Sequence, residues 1–91
     1  MVRVGPYSFR YVTYDASSDV LDVAMVAPRP GRRERTPEAH FLRFDEEGRF
    51  FGITFMDARQ QLEREGGVYV NLPCGGRERV AGAERFIREA P

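Results

Sequence analysis

"RFDEEGRFFGITFMDA", residues Arg43 to Ala58, decides how this chain folds, because it sets three consecutive acids and a glycine between two apolar runs. Contiguous carboxylates cannot surround one ion; a calcium loop of the helix-loop-helix kind spreads its oxygen ligands over about twelve residues and ends in Glu. A hairpin loop asks instead for polar residues followed by a Gly that accepts positive φ, and Asp45-Glu46-Glu47-Gly48 supplies that order. The acids therefore read as a turn. It joins a strand over Ala39–Phe44 to a strand over Arg49–Met56, with Phe51, Ile53 and Phe55 facing inward.

Toward the N-terminus, "YSFRYVTY" (Tyr7–Tyr14) is aromatic and β-branched, with Phe9, Tyr11 and Thr13 on one face and Arg10, Val12 and Tyr14 on the other. It reads as a first strand. "DASSD" (Asp15–Asp19) has the short polar side chains that bond back to their own backbone in turns. "VLDVAMV" (Val20–Val26) then alternates Leu21, Val23 and Met25 against Asp22 and Ala24, so the two runs form a hairpin. "PRPGRRERTPE" (Pro28–Glu38) reads as a loop, because its prolines and glycine break ladders and helices alike. That loop concentrates Arg29, Arg32, Arg33 and Arg35.

Toward the C-terminus, "DARQQLEREGG" offers Asp57 as a helix cap, Gln60 at the third position of a capping box and Gly66 as a left-handed stop. Ala58 and Leu62 make its apolar stripe. "VYVNLP" (Val68–Pro73) reads as a fifth strand burying Val68, Val70 and Leu72, and Gly75-Gly76 breaks it. Arg77–Ala90 places Val80, Ala83, Phe86, Ile87 and Ala90 near a 3.6-residue period, which predicts a terminal amphipathic helix. The order β-β-β-β-α-β-α predicts one α+β domain over residues 1–91. Its antiparallel sheet has four to five strands, with two helices packed on one face. Aromatic and apolar side chains alternate onto both faces, as at Phe50-Phe51 and Phe41-Leu42, and two short helices leave apolar surface over. A homodimer is the expected solution.

Composition bounds the function. Hydrophobic content of 42% is that of a globular chain, and 31% charged residues leave no apolar run near the roughly 20 that span a bilayer. Met1–Arg10 is interrupted by Arg3, Gly5 and Pro6, unlike a secretory signal, so a cytoplasmic chain without membrane contact is expected. One cysteine, Cys74, forms no internal disulfide. Net charge is zero, so any nucleic-acid contact needs a local patch. Every basic residue is Arg, which removes Schiff-base catalysis, pyridoxal anchoring and the P-loop lysine, each of which needs a primary amine.

"YDASSDVLDV" (Tyr14–Val23) followed by "DEEGRFFGITFMDA" (Asp45–Ala58) resembles the small bacterial family known as domain of unknown function 2283. The shared features fall on Tyr14, Asp15, Asp19, Leu21, Asp45, Gly48, Arg49, Gly52, Ile53, Asp57 and Ala58, and the likeness runs over roughly residues 9–58. The family usually has an aromatic where Asp22 stands, and its connection between second and third strands is poorer in Pro and Arg. The resemblance implies the fold, brings no catalytic residues with it, and implies a partner-binding, antitoxin-like role.

Several side chains invite a chemical reading. Asp15, Asp19, Asp22 and Asp57 make a carboxylate cluster if the strand ends converge, whereas turn, edge and cap roles explain each one singly. Cys74 precedes two glycines beside Arg77 and Arg79, a setting that lowers a thiol pKa, yet the only His, His40, lies in a distant strand and supplies no base. One His and one Cys cannot make a zinc site in one chain. Gly75-Gly76-Arg77 between a strand and a helix can hold an anion or serve as a plain connector. The residues offered for partner or anion contact are Arg29, Arg32, Arg33 and Arg35. The expected function is a non-catalytic interaction or homodimerisation domain without a cofactor. The first alternative is an antitoxin-like or regulatory module contacting nucleic acid or a protein partner through residues 29–35. The second is a small enzyme built on Cys74 or the acids.

Overall fold

Alternating apolar residues at a two-residue period must share one sheet face, and a chain this short can bury that face only by folding its own ends across it. The structure, a computed structural model, describes residues 1–73 and 75–89 and follows that logic. β1 (Val2–Val4) and β2 (Tyr7–Phe9) form a hairpin turned at Gly5, whose φ is 54°. β3 (Tyr11–Asp15), β4 (Val20–Ala24), β5 (Gly31–Arg35), β6 (Phe41–Asp45) and β7 (Phe50–Met56) follow. They assemble into one antiparallel sheet in the order β3-β4-β7-β6-β5. After it come α1 (Ala58–Glu65), a hairpin of β8 (Tyr69–Asn71) and β9 (Arg77–Arg79), and α2 (Ala83–Arg88).

One face of the sheet is covered. Leu21, Val23, Leu42, Ile53 and Phe55 meet Ala58 and Leu62 of α1 and Ala83 and Ile87 of α2 in a single core. Val2, Val4, Phe9, Val68, Val70, Leu72 and Val80 complete it from the two small hairpins. The expected α+β class and antiparallel sheet are thus present; Val68, Val70 and Leu72 are buried as predicted, but their strand pairs with β9 apart from the main sheet. Gly66 ends α1 with φ 76° and donates its N–H to Leu62.

Four local readings are corrected. Tyr7–Tyr14 is two strands divided at Arg10, because β2 pairs with β1 while β3 pairs with β4. Residues 28–38 contain β5, a strand whose every residue is exposed. Its prolines 28, 30 and 37 flank the paired residues and remove no ladder donor, and an edge strand needs no apolar alternation. The helix expected over Arg77–Ala90 begins at Ala83: Arg77–Arg79 pair with β8, and Gly82 at φ 88° sets the turn into α2. Ala90 lies outside the described residues.

The fourth correction sets the functional surface. Arg43 stands opposite Gly52, but Phe44 stands opposite Phe50, so Phe51 is an extra residue in β7. This bulge reverses the alternation. Phe50 turns into the core, its ring centroid 5.0 Å from Tyr7, 6.2 Å from Phe9 and 5.8 Å from Phe44. Phe51, expected inside with Ile53 and Phe55, lies on the opposite face beneath Arg43.

Candidate functional site

The second face of the five-stranded sheet receives neither helix nor small hairpin. Strand register lays its residues in rows: Tyr11, Ala24, Gly52, Arg43 and Arg33 lie side by side, and the next row is Thr13, Asp22, Thr54, Phe41 and Arg35. The middle is small and apolar, the β5–β6 half is cationic, and the β3–β4 half is polar with Asp22 and, one step along, Asp15.

Guanidinium groups roof the aromatic rings. Arg33 lies 4.5 Å from the Phe41 centroid and Arg43 5.5 Å from that of Phe51, while at the far edge Arg10 sits 5.9 Å over Tyr11. Such stacking holds the cations flat on the sheet. Phe51 is 4% exposed beneath this layer, whereas Tyr11 keeps 44% of its surface in water. Thr54 donates its hydroxyl to Asp22 Oδ1, and Arg43 stands 3.8 Å from the same oxygen. Among the described residues, no carboxylate forms an ion pair with Arg33 or Arg35. A cleft of about 390 Å³ opens here, with Arg29, Arg32, Arg33 and Arg43 on its walls and Asp22 and Phe51 among its other lining residues. A smaller, more apolar one of about 200 Å³ lies between Tyr11, Ala24, Pro28 and Phe51.

The four arginines offered by the sequence are divided by the strand they occupy. Arg33 and Arg35 belong to the uncovered face. Arg32 alternates to the other side, where it lies 4.5 Å over the Phe44 ring and pairs with Glu34. Arg29 precedes the strand and donates its Nε–H to the Ala27 carbonyl. Arg43, on the neighbouring strand, joins them although the sequence reading passed over it. The signal was present in "FLRF", where a cation occupies the position that alternation sends away from the core.

The acids have separate structural work. Asp45 accepts hydrogen bonds from the Glu47 and Arg49 N–H groups, both at 2.9 Å, and those bonds, led by the one from Arg49, hold its carboxyl below the usual range. With Gly48 at φ 82°, residues 45–48 are a hairpin turn, as the opening stretch predicted. Asp15 Oδ1 accepts from the Ser17 N–H at 3.0 Å. Asp57 occupies the helix N-cap position but makes no side-chain cap bond; Asp19, from the turn before β4, supplies the capping carboxylate. Among the described residues no three His, Cys, Asp or Glu side chains gather as a metal site would require.

His40 is buried. Its Nδ1 accepts the Met56 N–H at 3.1 Å, so Nε2 carries the proton and donates to Gln61 Oε1 at 2.8 Å. Burial pushes its pKa down, and Gln61 opposes this only in part. The ring is a neutral strut between β6, β7 and α1. Arg77 is likewise occupied, lying 4.4 Å over Tyr69 and paired with Glu65, and the Gly75–Gly76 segment is the turn of the β8–β9 hairpin, so of the two readings offered for it the plain connector holds, joining two strands in place of a strand and a helix. Glu38, missed by the sequence reading, accepts the Asn71 N–H at 3.1 Å and ties the loop before β6 to β8. Cys74 lies outside the described residues.

Among the described residues, no helix is long and apolar enough to cross a membrane. No family model, curated protein or solved structure matches this chain, and the likeness of residues 9–58 to the family named above stands on its quoted motifs alone.

Proposed function

We propose that this chain is a non-catalytic interaction module whose working surface is the uncovered sheet face, and that its first partner is a second copy of itself. The observation that carries the reading is the sheet face that neither helix covers: five strands, an exposed Tyr11 at one edge, exposed Arg33 and Arg35 at the other, and arginines already held over aromatic rings between them. Ordering those side chains before contact lowers the entropic cost of docking. A cationic half and a polar, acid-bearing half on one surface make it complementary to itself. Sedimentation or light scattering at micromolar concentration tests this: a dimer is expected, and a strict monomer rejects it.

A second reading is favoured by the cleft to which Arg29, Arg33 and Arg43 contribute. In it the β5 side of the face holds the phosphates of a nucleic acid, in an antitoxin-like or regulatory role. Fluorescence anisotropy with labelled duplex and single strands at low salt decides it, since no binding at micromolar protein removes the idea. Cytoplasmic residence belongs with either reading.

A further inference from the structure

The asymmetry of the uncovered face specifies how a second copy would lie on it; this inference rests on the self-association proposed above. Two sheets pack face to face about 10 Å apart with their strands within about 30° of one another. Under two-fold symmetry the axis lies between the sheets, running either across the strands or along them. An axis across the strands sets β3 over the partner's β3 and β5 over the partner's β5, which opposes Arg33 and Arg35 to their own copies. An axis along β7, the middle strand of the sheet, sets β3 over the partner's β5.

We infer that the chain forms a face-to-face dimer with its two-fold axis along β7, so that Tyr11 and Thr13 of each copy lie over Arg33 and Arg35 of the other. Two features fit this placement and not the other. Tyr11 is the one ring of the face left substantially exposed, and the row it shares with Arg33 brings a guanidinium over it from across the interface. Asp15, one step beyond Thr13, comes within reach of the partner's Arg35, which has no ion-pair partner among the described residues of its own chain.

Cysteine cross-linking reads the geometry directly. In a Cys74→Ser background, Thr54→Cys sits beside the axis, and a bis-maleimide spanning about 10 Å, the spacing of packed sheets, should link it to its own copy. Thr13→Cys lies two strands from the axis and should not link to itself, but should link when mixed with an Arg35→Cys chain. As an independent arm, Arg35→Glu should weaken association about tenfold or more, and Asp15→Arg in the same chain should restore it, which no purely structural role of Arg35 would produce. Both positions are exposed; Asp15→Arg also gives up the bond from the Ser17 N–H, so circular dichroism and the unfolding midpoint of each variant are read beside the association. A dimer in which Thr13→Cys links to itself, or Thr54→Cys does not, overturns the axis while leaving self-association standing. A wild-type monomer overturns both.

Discussion

Asp19 and Arg59 are forty residues apart in the chain, yet the carboxylate of Asp19 accepts the Arg59 backbone N–H at 2.7 Å. Its second oxygen accepts the Gln60 N–H at 3.2 Å, and its backbone carbonyl takes the Ala58 N–H at the same distance. One turn residue thereby satisfies the open end of α1 from a different part of the fold. Tyr14 donates its hydroxyl to Asp19 Oδ1 at 2.8 Å and steadies the carboxylate. Because Asp19 has φ 56°, the position also favours a residue tolerant of the left-handed region.

Asp19→Ala should therefore lose about 1 to 2 kcal/mol, the ordinary worth of a helix cap, and Asp19→Asn much less, since Asn both caps and accepts positive φ. Asp57→Asn, which keeps a residue tolerant of its φ of 52°, removes no cap bond and should cost little. Urea unfolding of the three variants checks the order, and an Asp57 effect larger than that of Asp19 would reverse the assignment.

His40 gives the fold a pH dependence. Its folded pKa lies below its unfolded value of about 6.5, so the stabilisation it brings is complete above that pH and is lost as pH falls through the folded pKa. Protonation would also set an Nδ1–H against the Met56 N–H, two donors facing each other. Denaturant midpoints between pH 7 and about 5 should fall more steeply for the wild type than for His40→Gln, which cannot take up that proton. Asp15, Glu38, Asp45 and Glu65, whose carboxyls are held below their usual values, bring a separate loss at lower pH in both proteins.

Val4 is fully buried, in a strand that the sequence reading, which began its first strand at Tyr7, did not place. The Arg3 N–H bonds to the Ala81 carbonyl at 2.9 Å and the Ala81 N–H returns the bond at 2.8 Å, stitching β1 to the segment before α2. Val4→Ala should cost about 2 kcal/mol, from the apolar groups removed and the cavity left. An unchanged thermal midpoint would place β1 outside the cooperative unit.

Gly31 starts β5 where the backbones of neighbouring strands crowd: a Cβ there would fall 1.9 Å from the Phe44 carbonyl oxygen. Gly31→Ala should break the Gly31–Asp45 pairing, cost about 1 to 3 kcal/mol and speed hydrogen exchange through residues 31–35. Exchange that stays unaltered in that strand would argue against the close approach.

The sequence alone determined whatever follows from short-range chemistry. Alternation fixed the central strands, Asp45–Gly48 fixed their turn, Gly66 fixed the end of α1, and the order of elements fixed the α+β class, because each depends on residues within a few positions of one another. Tertiary structure decided what depends on distant neighbours. Residues 31–35 became a strand because β6 offered an edge, the cap of α1 came from Asp19 in place of Asp57, and Arg77–Arg79 joined β8 before a helix could begin there. The exchange of Phe50 and Phe51 between faces turned on one extra residue opposite Arg43 and Phe44, a mismatch of register that belongs to two strands together. That slip moved a phenylalanine to the uncovered side of the sheet, where it packs beneath Arg43.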